Sequence, residues 1–209
     1  MDLENRALTF AAAAHAAINQ KRKSTGAPYI VHPVRVANTV RSIGGTPEQI
    51  AAALLHDTVE DVTLAGLKEA AARVGTYDVA DLVETDDLRA NRTVRLKVIE
   101  IVFGPVVTAL VEMLTDVSIK TDGNRKVRKG LDREHSATAS TEAQTIKLAD
   151  LLDNSSDITS EDPNFAHVWM REMQKMLTVL DKGDPTLLER AQATCDTYFE
   201  NENLDAKTP

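Results

Sequence analysis

The chain carries one cysteine, Cys195, in 209 residues. No internal disulfide framework can staple it, and a reducing compartment, the cytoplasm, is expected. Aromatic residues make up only 4%. A β-sandwich or barrel draws on Tyr, Phe, Val and Thr at alternating positions, and no stretch here alternates long enough to require a strand. There is no run of about 20 apolar residues, so no membrane span is expected. The N-terminal stretch MDLENRALTFAAAAHAAINQ has an acidic head and an apolar run broken by His15, unlike a signal peptide. Positive charge is also short: 32 acidic against 24 basic residues leave a net −8. That argues against nucleic acid as a partner, which needs a basic surface. A small basic pocket inside an acidic shell remains compatible with it.

What is present is 43% hydrophobic residue, rich in Ala and Leu, with 27% charge. This composition favours an all-α fold. Residues 3–20 predict a first helix with Leu8, Ala11, Ala12, His15 and Ile18 on its buried face. Gly26 and Pro28 mark a loop, and Pro33 suits the first turn of a helix that runs to Gly44-Gly45. Thr46-Pro47-Glu48 reads as an N-cap followed by Pro at the first helical position. The next helix is expected to run unbroken through PEQIAAALLHDTVED. Leu67–Asp87 and Leu96–Asp116 share a pattern, L-K, a later Gly, then L-V-E and Asp, which predicts two similar helix pairs. The polar, basic stretch Lys120–Ser140 reads as a loop or a loosely held helix. Ser140 or Thr141 then caps a helix through IKLADLLDN, another runs from Phe165 to Gly183, and a last one starts on Pro185.

Charge stands out where the chain otherwise wants to be core. AALLHDTVEDV places His56, Asp57, Glu60 and Asp61 in a short apolar stretch. On one helix, His56 and Glu60 would stack one turn apart, as would Asp57 and Asp61. Three carboxylates and an imidazole there cost several kcal/mol unless a cation neutralises them. A divalent metal does so economically. His32, between Ile30 and Pro33, and Asp150, in IKLADLLDN, supply the further ligands, and Asn154 lies one turn beyond Asp150. His32, His56, Asp57 and Asp150 form a two-nitrogen, two-oxygen set that suits Mn, Fe or Zn. Glu60 and Asp61 can orient or deprotonate a water. A lone His in a helix is ordinarily a satisfied core or surface residue, and His15, His135 and His167 are read that way.

KRKSTGAPYIVHPVRVA, AALLHDTVED, LVEMLTD and IKLADLLDN occur in this order. Together they resemble the successive boxes of the HD-superfamily hydrolases of the RelA/SpoT type, the guanosine-3′,5′-bis(diphosphate) 3′-pyrophosphohydrolases. The resemblance runs from Ala14-His15 to about Gly183 and leaves no room for the synthetase and regulatory domains of long members. It implies a small stand-alone hydrolase of one domain, 1–209, with 63–95 as an inserted helical segment. It also implies an HD-type helical bundle and a small-molecule nucleotide, (p)ppGpp, as partner. His32, His56, Asp57 and Asp150 would match the ligands of one Mn²⁺, with Zn, Fe or Mg as other ions such a set takes. Glu60 and Asp61 would match the water-activating acids. Arg22 and Lys23 would match the basic pair that grips substrate, and Asn154 the Asn near the nucleotide. The basic run of Lys120, Arg125, Lys126 and Arg128 would lie beside the polyphosphate.

Three features depart from that pattern. The stretch after Asp61 is longer than expected, Met173 or a neighbour stands where an aromatic residue is usual, and Lys120–Ser140 aligns poorly. All three touch substrate reading rather than the ligands or the acid pair. The alternatives are therefore (p)ppApp or the 2′-phosphate of NADPH as substrate, or a non-catalytic nucleotide-binding module.

Overall fold

The computed structural model describes residues 1–23 and 25–205. Helices begin where a side-chain oxygen meets the first free N–H groups, a contact worth about 1 kcal/mol. α1 (Leu3–Ala17) starts on Asp2, which accepts from the Asn5 N–H. α2 is Val31–Ser42. α3 (Pro47–Leu55) starts on Thr46, with Gln49 closing a reciprocal capping box. α4 is the single turn Thr58–Asp61. α5 (Leu64–Arg73) starts on Thr63 and α6 (Leu88–Phe103) on Asp87. Gly104, at φ 82°, turns the chain into α7 (Pro105–Leu114), where a side chain would be strained. After a 3-10 turn at Lys120–Asp122, α8 (Arg125–Thr138) starts on Asn124 and α9 (Thr141–Glu161) on Ser140. α10 (Pro163–Leu177) starts on Asp162, and α11 spans Pro185–Asp205. Among the described residues there is no strand, only an isolated bridge between Lys21 and Pro28. The all-α expectation holds. Among the described residues no helix is long and apolar enough to cross a membrane.

α3 is the hub. Every residue from Ile50 to Leu55 is buried, and α1, α2, α7 and α9 pack around it. Ala51, Ala52 and Ala53 have no exposed surface, and their small side chains let four helices approach at once. α9 forms a second axis, touching α2, α3, α7, α10 and α11. Phe10, Leu55, Leu67, Ile99, Ile146 and Leu148 are among the large, fully buried side chains of the core. Truncating one such Leu to Ala costs about 2–5 kcal/mol. Both hubs end at the site: α3 delivers its C-terminus to it and α9 its middle.

Several expectations are corrected. The predicted single helix 47–61 is broken at His56-Asp57. The His56 Nδ1–H donates to the Ala53 carbonyl and the Thr58 hydroxyl to the Leu55 carbonyl, so side chains take acceptors that a continuous helix would use. On α1 the buried set is Ala7, Phe10, Ala11, Ala14 and His15, while Leu8 is 38% exposed. Lys120–Ser140 is mostly a capped helix, polar because little beyond Asp132 and Ser136 is covered. The two similar halves fold differently: Pro105–Leu114 is helical, whereas 76–87 holds turns and irregular backbone with no helix. α10 stops at Leu177, short of Gly183. Gly183 is needed for close approach, since a Cβ there would meet the Leu148 Cδ1 at 2.6 Å.

Candidate active site

His32 lies in the first turn of α2 and His56 just beyond α3, both fully enclosed. The His32 Nδ1 is 2.7 Å from the Asp153 Oδ2, so this nitrogen carries the proton and donates. The His56 Nδ1–H donates to the Ala53 carbonyl at 2.8 Å. In the neutral rings both Nε2 atoms therefore present lone pairs. His32 Nε2 stands 3.1 Å from Asp150 Oδ1 and 3.5 Å from Asp57 Oδ2. His56 Nε2 stands 3.1 Å from Asp57 Oδ2 and 3.6 Å from Asp150 Oδ1. Lone pairs facing carboxylates repel unless a proton or a cation lies between them. The buried His56 Nε2 has no hydrogen-bond partner at all. Ligand atoms about 2.1 Å from a shared ion stand about 3.0–3.5 Å apart, close to the spacing found here. His32, His56 and Asp57 converge as a group able to hold a metal ion, and Asp150 closes on the same point. This donor set fits a divalent cation that accepts nitrogen and oxygen.

The charges agree with that fit. Burial alone would push both imidazoles down, yet Asp57 and Asp150 raise His32, and raise His56 well above its usual value. Burial would push the two carboxyls up, but the imidazoles hold Asp57 well below the carboxylate range, and Lys147 with the imidazoles does the same for Asp150. Their other contacts hold them in place. The Tyr29 hydroxyl donates to Asp57 Oδ2 at 2.7 Å, and the Asn154 amide to Asp150 Oδ1 at 2.7 Å. Lys147 Nζ lies 3.1 Å from Asp150 Oδ2.

Glu60 and Asp61, on α4, open onto a neighbouring cleft of about 470 Å³. Glu60 accepts from the Asp116 backbone N–H, and Asp61 Oδ2 accepts from the Gln20 amide at 2.7 Å. Solvent reaches Glu60 through the cleft, but protein surrounds it on its other sides. That burial, with Asp116 and Asp57 close by, pushes its carboxyl up to about 8. Burial and Asp57 also raise Asp61, against the pull of the Gln20 amide. Six cations line the cleft: Arg92, Arg95, Lys120, Arg125, Arg128 and Lys129. Four carboxylates oppose them: Glu60, Asp61, Asp116 and Asp132. A chain of net charge −8 thus keeps a locally basic pocket.

The expected residues do not all meet. Lys120, Arg125 and Arg128 line the cleft, while Lys126 does not. Arg125 is held as a fork by Glu172, with both contacts 2.7 Å, and lies over the Phe165 ring. Lys23 is exposed, and its charge only partly opposes the rise of the Asp61 carboxyl. Arg22 is buried, bonded to Asp157 Oδ2 at 2.9 and 3.1 Å and to Asn154 Oδ1 at 3.1 Å. Removing one partner of such a buried pair costs about 3–5 kcal/mol. Met173 is 1% exposed and packed in the core, away from the cleft. Sequence reasoning missed Tyr29, Asp153, Arg92, Arg95 and Lys129. For Asp153 a signal existed: it follows Asp150 by three residues, on an adjoining part of the same helix face.

Residues 7–180 match the family model described as HD domain. The chain belongs to the HD domain family. The relatives of this HD chain include the probable guanosine-3′,5′-bis(diphosphate) 3′-pyrophosphohydrolase of Synechocystis sp., 44% identical over 79 residues, which are 38% of this chain and 10% of that protein. The corresponding enzyme of Aquifex aeolicus is 49% identical over 79 residues, 11% of its length. The HD chain thus spans about a tenth of these two long relatives. It matches guanosine-3′,5′-bis(diphosphate) 3′-pyrophosphohydrolase MESH1 of Xenopus tropicalis at 34% identity over 155 residues, covering 73% of this chain and 67% of that one. A solved structure titled as a metazoan ortholog of SpoT that hydrolyzes ppGpp superposes with a TM-score of 0.71 over 95% of this chain and 96% of that one, at 24% identity. That likeness confirms the HD fold.

Proposed function

We propose that this chain hydrolyses (p)ppGpp at the 3′ position, giving pyrophosphate and GDP or GTP. The observation that carries the reading is the convergence of His32, His56, Asp57 and Asp150 beside a basic cleft into which Glu60 and Asp61 open. The names of the MESH1 relatives, which the chain matches over about two thirds of their length, support the choice of substrate. His32, His56, Asp57 and Asp150 hold one divalent ion, Mn²⁺. Such an ion supplies Lewis acidity toward a phosphoryl oxygen and acidifies water.

The protein's own groups do the rest. Ionised Glu60 draws a proton from water, and because its carboxyl rises to about 8 the ionised fraction, and with it the rate, should grow as pH climbs toward that value. Asp61, one residue on, orients that water. The water oxygen bonds to the phosphorus on the 3′-oxygen, the P–O3′ bond breaks, and the 3′-oxygen gains a proton. Arg128, Lys120 and Arg125 offset the charge of the polyphosphate, Lys as a point charge and Arg as a fork. Lys23, Arg22 and Asn154 border the nucleotide end, with Arg22 acting through Asn154.

Purified protein with Mn²⁺ should release pyrophosphate from ppGpp, and EDTA should stop it. Glu60→Gln should retain the ion and lose about 10²–10³ in kcat. Offering ppApp and NADPH beside ppGpp tests the base and the phosphate position separately. Turnover of none of the three overturns the hydrolase reading.

A further inference from the structure

His15 does not behave as a satisfied core histidine. It sits in the last turn of α1, 2% exposed, and its Nε2 has no hydrogen-bond partner. An apolar side chain of similar size would avoid that cost, and what an imidazole adds here is its other nitrogen. Nδ1 lies 2.7 Å from the Gln20 Oε1. An amide oxygen only accepts, so Nδ1 carries the proton. Burial holds the ring below its ordinary pKa and so favours the neutral form, and the contact with the amide oxygen selects the Nδ1–H tautomer. The other end of the same amide, Gln20 Nε2, donates to Asp61 Oδ2 at 2.7 Å.

The backbone is arranged for this contact. Asn19, at φ 49°, is the one non-glycine residue with left-handed backbone among the described residues. Asn tolerates that conformation better than most side chains. The turn curls Gln20 back under the helix end, where its N–H donates to the His15 carbonyl at 3.0 Å. The Gln20 carbonyl accepts from the Tyr29 N–H at 3.1 Å. The Tyr29 ring lies against the His15 ring, centroids 4.8 Å apart, and its hydroxyl holds Asp57.

We infer that His15 and Gln20 are positioning residues: His15 fixes which end of the Gln20 amide faces Asp61, and Gln20 thereby aims the Asp61 carboxylate. A Gln amide can flip, and in the flipped state its oxygen would face the carboxylate and repel it. His15 in its Nδ1–H tautomer opposes that state, because the flipped amide would turn its NH2 toward the Nδ1–H and lose the hydrogen bond at the oxygen. One Asp61 oxygen is thus held and the other is left for the cleft. The inference rests on Asp61 serving hydrolysis as proposed above.

Gln20 is partly exposed, so its variants should fold. Gln20→Leu should lower kcat of the Mn²⁺-loaded enzyme on ppGpp about 10- to 100-fold, with KM within about twofold of the parent. The acid limb of its kcat profile should move to higher pH, because Asp61 loses a donor to its charged form. Metal content and thermal midpoint should not change. His15→Leu should act in the same direction. His15→Asn, whose amide nitrogen takes the place of Nδ1, should recover most of the rate. A second readout needs no turnover: in the full chain loaded with diamagnetic Zn²⁺, the ¹³C carboxyl titration of Asp61 should shift upward in Gln20→Leu. Unchanged kcat profile and unchanged titration overturn the inference. So does a His15→Asn variant no better than His15→Leu whose loss follows its thermal midpoint. A parent protein inert on every nucleotide counts against the hydrolase reading, and the Asp61 titration still decides the positioning role.

Discussion

The two walls of the site are built in opposite ways. The ligand wall, from α2, the end of α3 and the middle of α9, is buried, and each side chain in it is oriented by a partner: His32 by Asp153, His56 by a carbonyl, Asp57 by Tyr29, Asp150 by Lys147 and Asn154. The cleft wall, from α6, α8 and the turn between α7 and α8, is open. Its cations sit on long side chains, half-tied by carboxylates such as Glu172 and Asp116. A metal ion tolerates little error in ligand position, so its wall must be rigid. A polyphosphate is matched mainly by charge, and charge can be delivered by flexible arms.

The largest test of this contrast is to remove a ligand. Asp57→Ala should lose bound metal and reduce turnover by a factor on the order of 10³, at low and high salt alike. Metal content equal to the parent would mean that the rigid wall is not a metal site. A smaller effect should follow from loosening the wall without touching a ligand. Asp153→Asn weakens the contact that orients His32 and should lower metal affinity about 10- to 100-fold, with excess metal restoring the rate. If affinity by calorimetric titration does not change, that orientation is supplied elsewhere. The smallest effect belongs to the open wall. Arg128→Ala or Lys120→Ala should raise KM for ppGpp about 3- to 10-fold with kcat nearly constant, and the difference should shrink as salt rises. A salt-independent fall in kcat would instead place those cations with the rigid wall.

The same contrast explains what could be read before folding. His32, His56, Asp57 and Asp150 are legible as a set because each interrupts an apolar run, although taken singly Asp150 also has an ordinary role as the partner of Lys147. The helical class was legible from Ala- and Leu-rich segments punctuated by Thr46-Pro47 and Ser140. Arg92 and Arg95 were not, because charges on the outer side of α6 look like any solvated face. Only the approach of α4 and the 115–120 turn makes them a wall. The break after Leu55 was hidden for another reason. It depends on the His56 ring and the Thr58 hydroxyl taking backbone carbonyls, which helix periodicity does not encode. Along α1, the run Ala11–Ala14 offers no contrast between faces, so the buried stripe was misplaced onto Leu8. Gln20 was invisible because its role exists only through the turn at Asn19.

The ligand set also has a consequence for the chain as a polymer. His32 and Asp150 belong to α2 and α9 and His56-Asp57 to the break after α3, with most of the sequence lying between the first and the last. An ion gripping all of them closes long loops, and loop closure is what a disulfide does for a secreted domain. With Cys195 alone, the chain has no covalent way to do this. With the proposed ion bound, the donor atoms beyond the end of α3 would act as a reversible cross-link between α2 and α9, and the bundle would gain stability with ion concentration by mass action.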